Sequence, residues 1–215
     1  MQETIAREQI LKRIRSANMQ SINNTYSDVD LRSDIYPPID DDLDITFAQN
    51  LNKLSGHFVY CSDKNEFIDN ISRLFKAQKI TKVHIKDRGI ASLLKNIDVE
   101  ISESERQKEN IKMTITSCES LVARLGSILV SSKQESGRSF NFIPETHIVI
   151  ANRSQIVATV KDAMALLQEK YGNDLPSMVS LISGPSRTAD IEKTLVLGAH
   201  GPRSLIVYLT EENIL

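Results

Sequence analysis

The sequence predicts an α/β protein with a mostly parallel, Rossmann-like sheet flanked by helices. Two patterns indicate this class. Short apolar runs typical of strands alternate along the chain with helical patterns, as in βαβ units. These strand candidates are near-continuous apolar runs, as expected where helices cover both faces of a sheet. The 215 residues fit one such domain with an N-terminal helical extension.

Composition and charge exclude several classes of protein. The chain has 26 basic and 28 acidic residues, so it lacks the basic excess that generic nucleic-acid binding requires. No apolar stretch approaches the roughly 20 residues that span a bilayer, and residues 1–20 lack the apolar core of a signal peptide. Two cysteines, Cys61 and Cys118, form neither a disulfide framework nor a metal-binding spacing. We therefore expect a cytoplasmic protein without a membrane span, a nucleic-acid partner or a metal site.

The N-terminal part is predicted to be a helix followed by a connecting segment. Apolar residues between positions 5 and 17 recur at helical spacings, and several lysines and arginines make this stretch basic. Residues 21–54 are the least regular and end in a short predicted helix at 46–54. Their acidic run at 40–42 lacks the glycine and the spaced glutamate of an EF-hand loop, so we interpret this region as a solvated connection or a lid. Residues 1–55 are assigned to this part.

Residues 56–215 are predicted to hold the α/β domain. Strands are expected at residues 57–61, 82–86, 98–101, 127–131, 145–150, 178–182 and 204–209. Helices are expected at residues 63–79, 89–95, 117–125, 154–171 and 188–196. The helix at 63–79 has the clearest start, because Asp63 can cap it and Glu66 follows three residues later.

The most informative stretch follows the strand predicted at 178–182. It reads Ser-Gly-Pro-Ser-Arg-Thr-Ala-Asp-Ile-Glu over residues 183–192, which we call the signature segment. The sequence Gly-Ala-His-Gly-Pro follows at 198–202. A loop between a strand and a helix of an open α/β sheet is where ligands bind. Free N–H groups at the start of the helix would attract an anion to it.

Four side chains of the signature segment are candidates for holding an anion. Ser183, Ser186 and Thr188 offer hydroxyl groups. Arg187 offers a planar guanidinium group that fits a carboxylate or a phosphate. The sequence therefore predicts a site for a small carboxylate or phosphate ligand in this loop.

Two acidic residues argue against a simple anion site. Asp190 and Glu192 fall in the first turn of the predicted helix, where they complement its dipole and would repel a nearby anion. Arg187 could instead pair with Asp190 or Glu192 and so fix the loop. The residues alone leave open whether the segment binds a ligand or forms a structural turn.

Other candidates also allow two interpretations. His200 lies between Gly198 and Gly201, which permit tight turns, and is either an acid/base group or a hydrogen-bonded loop residue. Glu145 opens a predicted strand, where a carboxylate is more often structural. Cys118 is either an activated thiol at a predicted helix start or a buried, inert side chain.

The signature segment resembles the signature of LUD-domain proteins of the lactate utilization protein C (LutC-like) type. Ten consecutive residues carry this resemblance, together with the motif at 198–202. The N-terminal helix, residues 117–130 and the sequence Phe-Ile-Pro-Glu-Thr-His-Ile-Val at 142–149 resemble further family segments. The chain departs from the family at 124–127, where it has Arg-Leu-Gly-Ser and relatives often have Glu-Thr-Gly-Ser/Thr. It therefore lacks an acidic residue beside Gly126.

The resemblance implies a fold like that of the NagB/RpiA/CoA-transferase group, with residues 56–215 as the LUD-type domain. It also implies a role in oxidising L-lactate to pyruvate together with two companion proteins, one of which carries an iron–sulfur cluster. Cys61 and Cys118 are too few to ligate such a cluster alone. We therefore expect this chain to bind no cofactor itself and to act as an accessory subunit.

Two alternatives stay open, and the sequence does not decide whether the chain is itself an enzyme. It could be a stand-alone enzyme on a small phosphorylated, CoA-linked or folate-like substrate, an analogy with its fold group alone. It could also be a scaffold without a ligand, in which the signature segment locks the last helix onto the sheet. The predicted ligand-binding residues are Ser183, Gly184, Ser186, Arg187, Thr188, Gly198, His200 and Gly201. The residues predicted to support them are Gly126, Glu145, Asp190 and Glu192.

Overall fold

The computed structural model describes residues 2–19, 36–104, 111–189, 195–197 and 201–215. The chain divides into two compact units, Met1–Pro38 and Ile39–Leu215. The first unit contains helix α1 (Gln2–Met19), whose residues 6–17 are exposed. The second unit begins before the boundary predicted at residue 55, because the helix that precedes the first strand is buried in the core of this unit.

The second unit contains the remaining helices and all the described strands. The helices are α2 (Leu43–Lys53), α3 (Lys64–Gln78), α4 (Arg88–Leu93) and α5 (Val160–Tyr171). The first six strands are β1 (His57–Cys61), β2 (Lys82–His84), β3 (Glu100–Ser102), β4 (Met113–Ser117), β5 (Ser120–Val122) and β6 (Ser127–Ser131). The others are β7 (Thr146–Asn152), β8 (Ile156–Val157), β9 (Val179–Ile182), β10 (Arg187–Ala189), β11 (Leu195–Leu197) and β12 (Ser204–Thr210).

Six parallel strands form the main sheet, in the order β1-β12-β7-β4-β2-β3. Paired residues of parallel strands point to the same face, so Ile148 lies between Ile115 and Ile206. These isoleucines share one buried core with Phe67 and Ile71 of α3. The predicted class, an α/β fold with a mostly parallel sheet flanked by helices, is confirmed.

A second sheet of four strands packs on the other face of the main sheet, together with α2. Its order is β8-β5-β6-β9, and β6 is antiparallel to both of its neighbours. Leu121 and Ile128 of this sheet share a core with Val149 of the main sheet and with Phe47 of α2. Helix α5 covers the outer face of the second sheet, where Leu167 is buried. The sequence analysis did not predict this sheet.

Two predicted helices are wrong. Residues 117–125 contain the end of β4, strand β5 and a short 3-10 turn. Leu121 and Val122 belong to cores on opposite faces of the second sheet, and burial on both faces follows the two-residue repeat of a strand. Residues 188–196 include parts of β10 and β11, which pair in an antiparallel arrangement. Residues 190–194 lie outside the described part of the chain.

The strands predicted at 57–61 and 127–131 have these bounds in the structure, and the other predicted elements of this unit are present with shifted ends. Asp63 caps α3 as expected, because its carboxylate accepts hydrogen bonds from the N–H groups of Asn65 and Glu66. The helix predicted at 154–171 starts later, at Val160, since the residues before it form a 3-10 turn and strand β8. Strand β4 was not predicted at all.

Candidate functional site

The first five residues of the signature segment, 183–187, lead from the end of β9 to the first residue of β10 and lie at the amino edge of the main sheet. We call this stretch the signature loop. The N–H group of Ser186 donates to the carbonyl of Pro202 at 2.8 Å, two residues before β12. Arg187 contacts Leu54 and Ser55, which lie just before β1. The loop therefore lies at the edge opposite to the carboxyl ends of the parallel strands, where α/β proteins usually bind ligands.

Arg187 binds the C-terminal end of α2. Its guanidinium group donates to the carbonyl oxygen of Leu54 and, at 2.9 Å, to the hydroxyl oxygen of Ser55. A positive charge at this end complements the partial negative charge of the helix dipole. The same dipole would oppose an anion brought to Arg187. The alternative partners Asp190 and Glu192 lie outside the described residues.

Two glycines fit closely against the same end of α2. Gly184 has a φ of +82°, and a β-carbon added there would lie 2.5 Å from the carbonyl oxygen of Leu54. Gly126, in the turn before β6, has a φ of +59° and would place a β-carbon 2.3 Å from the backbone nitrogen of Leu51. Any side chain at either position would meet backbone atoms, so both contacts require glycine.

Hydrogen bonds also connect the signature loop and α2 to the second sheet, and we call this region of contact the joint. The hydroxyl groups of Ser183 and Ser127 are 2.7 Å apart, and Ser127 is buried at the start of β6. The side-chain amide of Asn50 donates to the carbonyl groups of Ala123 and Arg124, at 3.0 and 3.2 Å. Sequence reasoning missed Asn50, Leu54 and Ser55, which no motif marks, and it gave no role to Ser127, which belongs to the family motif at 124–127.

The structure brings part of the predicted site together. A β-carbon on Gly201 would lie 3.0 Å from the β-carbon of Ser186, so these two positions are in contact. Glu145 takes part through its backbone, whose carbonyl accepts hydrogen bonds from the N–H groups of Arg203 and Ser204. Its side chain is exposed. Thr188 lies in β10, whereas Gly198 and His200 lie outside the described residues.

The predicted helix start after the signature loop is wrong. Residues 187–189 form strand β10, so no helix dipole is available there to attract an anion. The backbone of residues 187–189 instead pairs with that of residues 195–197 in an antiparallel arrangement. Ligand binding by the hydroxyl groups and by Arg187 stays a prediction.

A second polar group lies at the carboxyl edge of the main sheet. The hydroxyl group of Ser117, at the end of β4, donates to the carboxylate of Asp87 at 3.0 Å. It accepts a hydrogen bond of 3.4 Å from the side-chain amide of Gln134. Glu135 accepts from the N–H group of Arg88 at 2.8 Å. The segment after β6 is therefore bound across the ends of β2 and β4.

Glu119 and Cys118 follow β4 at this edge. Burial alone would raise the pKa of Glu119, but hydrogen bonds from Lys170, Ser131 and Tyr171 outweigh it and the pKa is lowered. Burial raises the pKa of the Cys118 thiol far above its usual range. This favours the interpretation of Cys118 as an inert side chain, because a nucleophilic cysteine needs a lowered pKa.

His147 is the fully buried histidine of β7. Its Nε2 lies 2.8 Å from the hydroxyl oxygen of Thr116, and burial lowers its pKa to about 3. The imidazole is therefore neutral at physiological pH and belongs to the core. Within the motif at 142–149, His147 therefore occupies a core position of β7.

The two cysteines lie in different cores, on opposite faces of the main sheet. Cys61 packs with α3, whereas Cys118 packs with α2 and the second sheet. They cannot share one cluster. In the described ranges, no three His, Cys, Asp or Glu side chains are grouped as metal ligands. No helix among these residues is long and apolar enough to cross a membrane.

The fold and the signature loop define a class: a parallel α/β domain with a second, mixed sheet on one face and a Ser/Gly-rich joint at its amino edge. The LUD domain model matches residues 46–210, and the chain belongs to the LUD-domain family. The structure is similar to the crystal structure of a DUF162 family protein from Deinococcus radiodurans, with a TM-score of 0.56 and 20% identity. The match covers 78% of this chain and 96% of that one and supports the fold alone.

Several similar proteins are named Lactate utilization protein C. That of Anoxybacillus flavithermus is 32% identical over 120 residues, which are 53% of this chain and 53% of that protein. That of Halalkalibacterium halodurans is 32% identical over 146 residues, covering 63% and 64%. That of Bacillus subtilis is 35% identical over 108 residues, covering 46% and 45%. The chain spans about half the length of the curated relatives it matches.

Proposed function

We propose that this chain acts in lactate utilization, as a cytoplasmic accessory subunit of a system that oxidises L-lactate to pyruvate. The observation that carries the proposal is its membership of the LUD-domain family over residues 46–210, beside relatives named Lactate utilization protein C. The proposed partners are companion proteins of the same system.

The cysteines support an accessory role. Oxidation of L-lactate to pyruvate releases two electrons and two protons, and the electrons need an acceptor. An iron–sulfur cluster is typically held by four thiolates. Cys61 and Cys118 are buried in separate cores, so they do not meet this requirement. In the proposal, the electrons pass to an iron–sulfur cluster on a companion protein.

The signature loop has a structural role in this proposal. The contacts of Arg187, Gly184 and Ser183 all hold the end of α2 and the second sheet. This role is a modified form of the scaffold alternative, in which Arg187 holds α2 rather than the last helix. The alternative, a site for a small carboxylate in the signature loop, is tested by the calorimetric titration described below.

The experiment is affinity purification of tagged protein from cells grown on L-lactate, at physiological salt. We expect an iron–sulfur protein to co-purify, with iron present in the complex and absent from the tagged chain purified alone. A strain that lacks the gene should grow on pyruvate but not on L-lactate. Normal growth of that strain on L-lactate would overturn the proposal, as would recovery of the chain alone.

Calorimetric titration separates the loop alternatives. Under the proposal, L-lactate, pyruvate and phosphate give no saturable heat with the purified chain. Saturable binding that is lost in Arg187→Ala and kept in the surface control Arg203→Ala would instead assign the ligand site to the signature loop.

A further inference from the structure

A cavity of about 440 Å³ lies between the C-terminal half of α3, the start of β2 and residues 96–98. It is separate from the signature loop, from the Asp87–Ser117 group and from both cysteines. Its size falls within the range of roughly 300–1,000 Å³ that is typical of small-molecule sites. A three-carbon acid such as lactate would fill only a fraction of it.

The floor of the cavity is apolar. Phe75 is 3% exposed and belongs to the core beneath α3. Ile68, Ile80 and Ile97 are partly buried and pack against the same core. A ligand in this cavity would therefore gain from an apolar body that covers these side chains.

The rim carries two ammonium groups. Lys76 lies in the last turn of α3 and Lys79 directly follows that helix. Within the described residues, neither has a carboxylate within ion-pair distance, whereas the neighbouring Lys82 is paired with Glu100 at 2.8 Å. Asp98 is an acidic residue of the same rim, so the two lysines leave an excess of one positive charge.

Lys79 stands at a position where glycine is the usual residue. Its φ is +53°, its N–H group donates to the carbonyl of Lys76, and the N–H group of Ile80 donates to that of Phe75. This is the hydrogen-bond pattern of a helix end that normally contains glycine in the left-handed conformation. A lysine there costs backbone strain and retains a second positive charge at the cavity.

We propose that this cavity binds a small amphipathic anion, namely a carboxylate with a medium-length alkyl or an aromatic body. The apolar part would lie on Phe75 and Ile97, and the carboxylate would lie between Lys76 and Lys79. The two full charges of these lysines exceed the partial negative charge that the dipole of α3 places at the same helix end. Hydroxyl groups of Ser72 and Thr81 on the rim add hydrogen-bond donors for the carboxylate. This binding activity does not depend on the role proposed for lactate.

The test titrates isotope-labelled protein with acetate, hexanoate, octanoate and the neutral 1-octanol, followed by NMR. We expect saturable shifts at Phe75, Ile80 and Ile97, with affinity rising from acetate to octanoate. The alcohol should bind at least about tenfold more weakly than octanoate, because it lacks the charge. Absence of saturable shifts at these residues would overturn the proposal, and so would equal binding of the alcohol and octanoate.

Two variants and one control test whether the ammonium groups at the rim bind the carboxylate. Lys79→Gly removes an ammonium group and suits the left-handed backbone, so it should fold at least as well as the wild type. Lys76→Gln removes the other. Each should weaken octanoate binding by about tenfold, whereas Lys64→Gln, at the exposed start of α3, should leave it unchanged. Unchanged octanoate binding in both variants would rule out the lysine rim as the anion site.

Discussion

Replacing Gly184 by alanine tests whether the signature loop is a close-fitting joint. The added β-carbon would lie 2.5 Å from the carbonyl oxygen of Leu54, a distance that real β-carbons essentially never show. Leu54 must move, and its carbonyl is also an acceptor for Arg187. Gly137 is the matched control, since its φ is +63° and a β-carbon there would meet nothing within 4 Å.

The two variants share the cost of a positive φ, about 1–2 kcal/mol for an alanine. Gly184→Ala adds the overlap with backbone, for which overpacking costs a further 1–3 kcal/mol or so. Urea denaturation of both variants, with equal slopes, measures the difference in the free energy of unfolding. Equal destabilisation by Gly184→Ala and Gly137→Ala would refute the close contact.

Three further predictions concern the buried polar groups and α2. The pKa of His147 is about 3 in the folded state and about 6.5 in the unfolded state. The contribution of the neutral imidazole to the free energy of unfolding is therefore fully present above pH 6.5 and falls by about 1.4 kcal/mol per pH unit below it. The free energies of unfolding of wild type and His147→Gln, measured against pH, should differ by this slope, and parallel curves would contradict the prediction. Glu119→Gln should destabilise the fold by about 1–3 kcal/mol in urea denaturation, since the carboxylate accepts two partly buried hydrogen bonds, from Ser131 and Tyr171, and one exposed hydrogen bond, from Lys170. A loss below about 0.5 kcal/mol would contradict this. In hydrogen–deuterium exchange, Asn50→Ala should speed the exchange of amides in the turn before Gly126, because the Asn50 side chain donates to carbonyl groups of that turn. The control Asn52→Ala should leave this exchange unchanged, and equal exchange in the two variants would contradict the prediction.

The sequence predicted five of the six strands of the main sheet and missed β4; the clearest were β7 and β12, which are buried on both faces. Runs such as β7 and β12 are continuous in apolar residues, and helices with a clear apolar face and cap, such as α3, separate several of them. These signals are local, so one chain suffices to detect them. The same argument explains why the cap at Asp63 was predicted correctly.

The second sheet was missed because two of its strands, β5 and β8, have only three and two residues, and because the pairs β5–β8 and β6–β9 join distant parts of the chain. The strand β5 has three residues, and it is held by β6 and β8 rather than by its own pattern. A stretch of mixed apolar and polar residues of this length is equally compatible with a helix. The same ambiguity produced the helix predicted at 188–196, where the structure has β10 and β11.

The sequence singled out the signature segment, and the ligand-binding role of its residues stays a prediction. Ser183, Gly184 and Arg187 do act together, as the signature segment indicated. The partners of Gly184 and Arg187 come from the end of α2, more than a hundred residues earlier, and the partner of Ser183 is Ser127; no spacing rule connects these segments. Because the loop was expected to precede a helix, it was assigned to the carboxyl edge of the sheet rather than to the amino edge.

Hydrogen–deuterium exchange of wild type and Arg187→Ala, each with and without L-lactate, tests the central claim most directly. The amides of Leu54, Ser55 and Gly56 close the end of α2 by bonding to Asn50, Asn52 and Leu51. If Arg187 holds that end, these amides should exchange several-fold faster in the variant, and L-lactate should not change exchange in residues 183–187 of the wild type. The claim that Arg187 holds the end of α2 would be contradicted by two results together. Exchange at the end of α2 would be the same in the wild type and the variant, and L-lactate would protect residues 183–187 in the wild type but not in the variant.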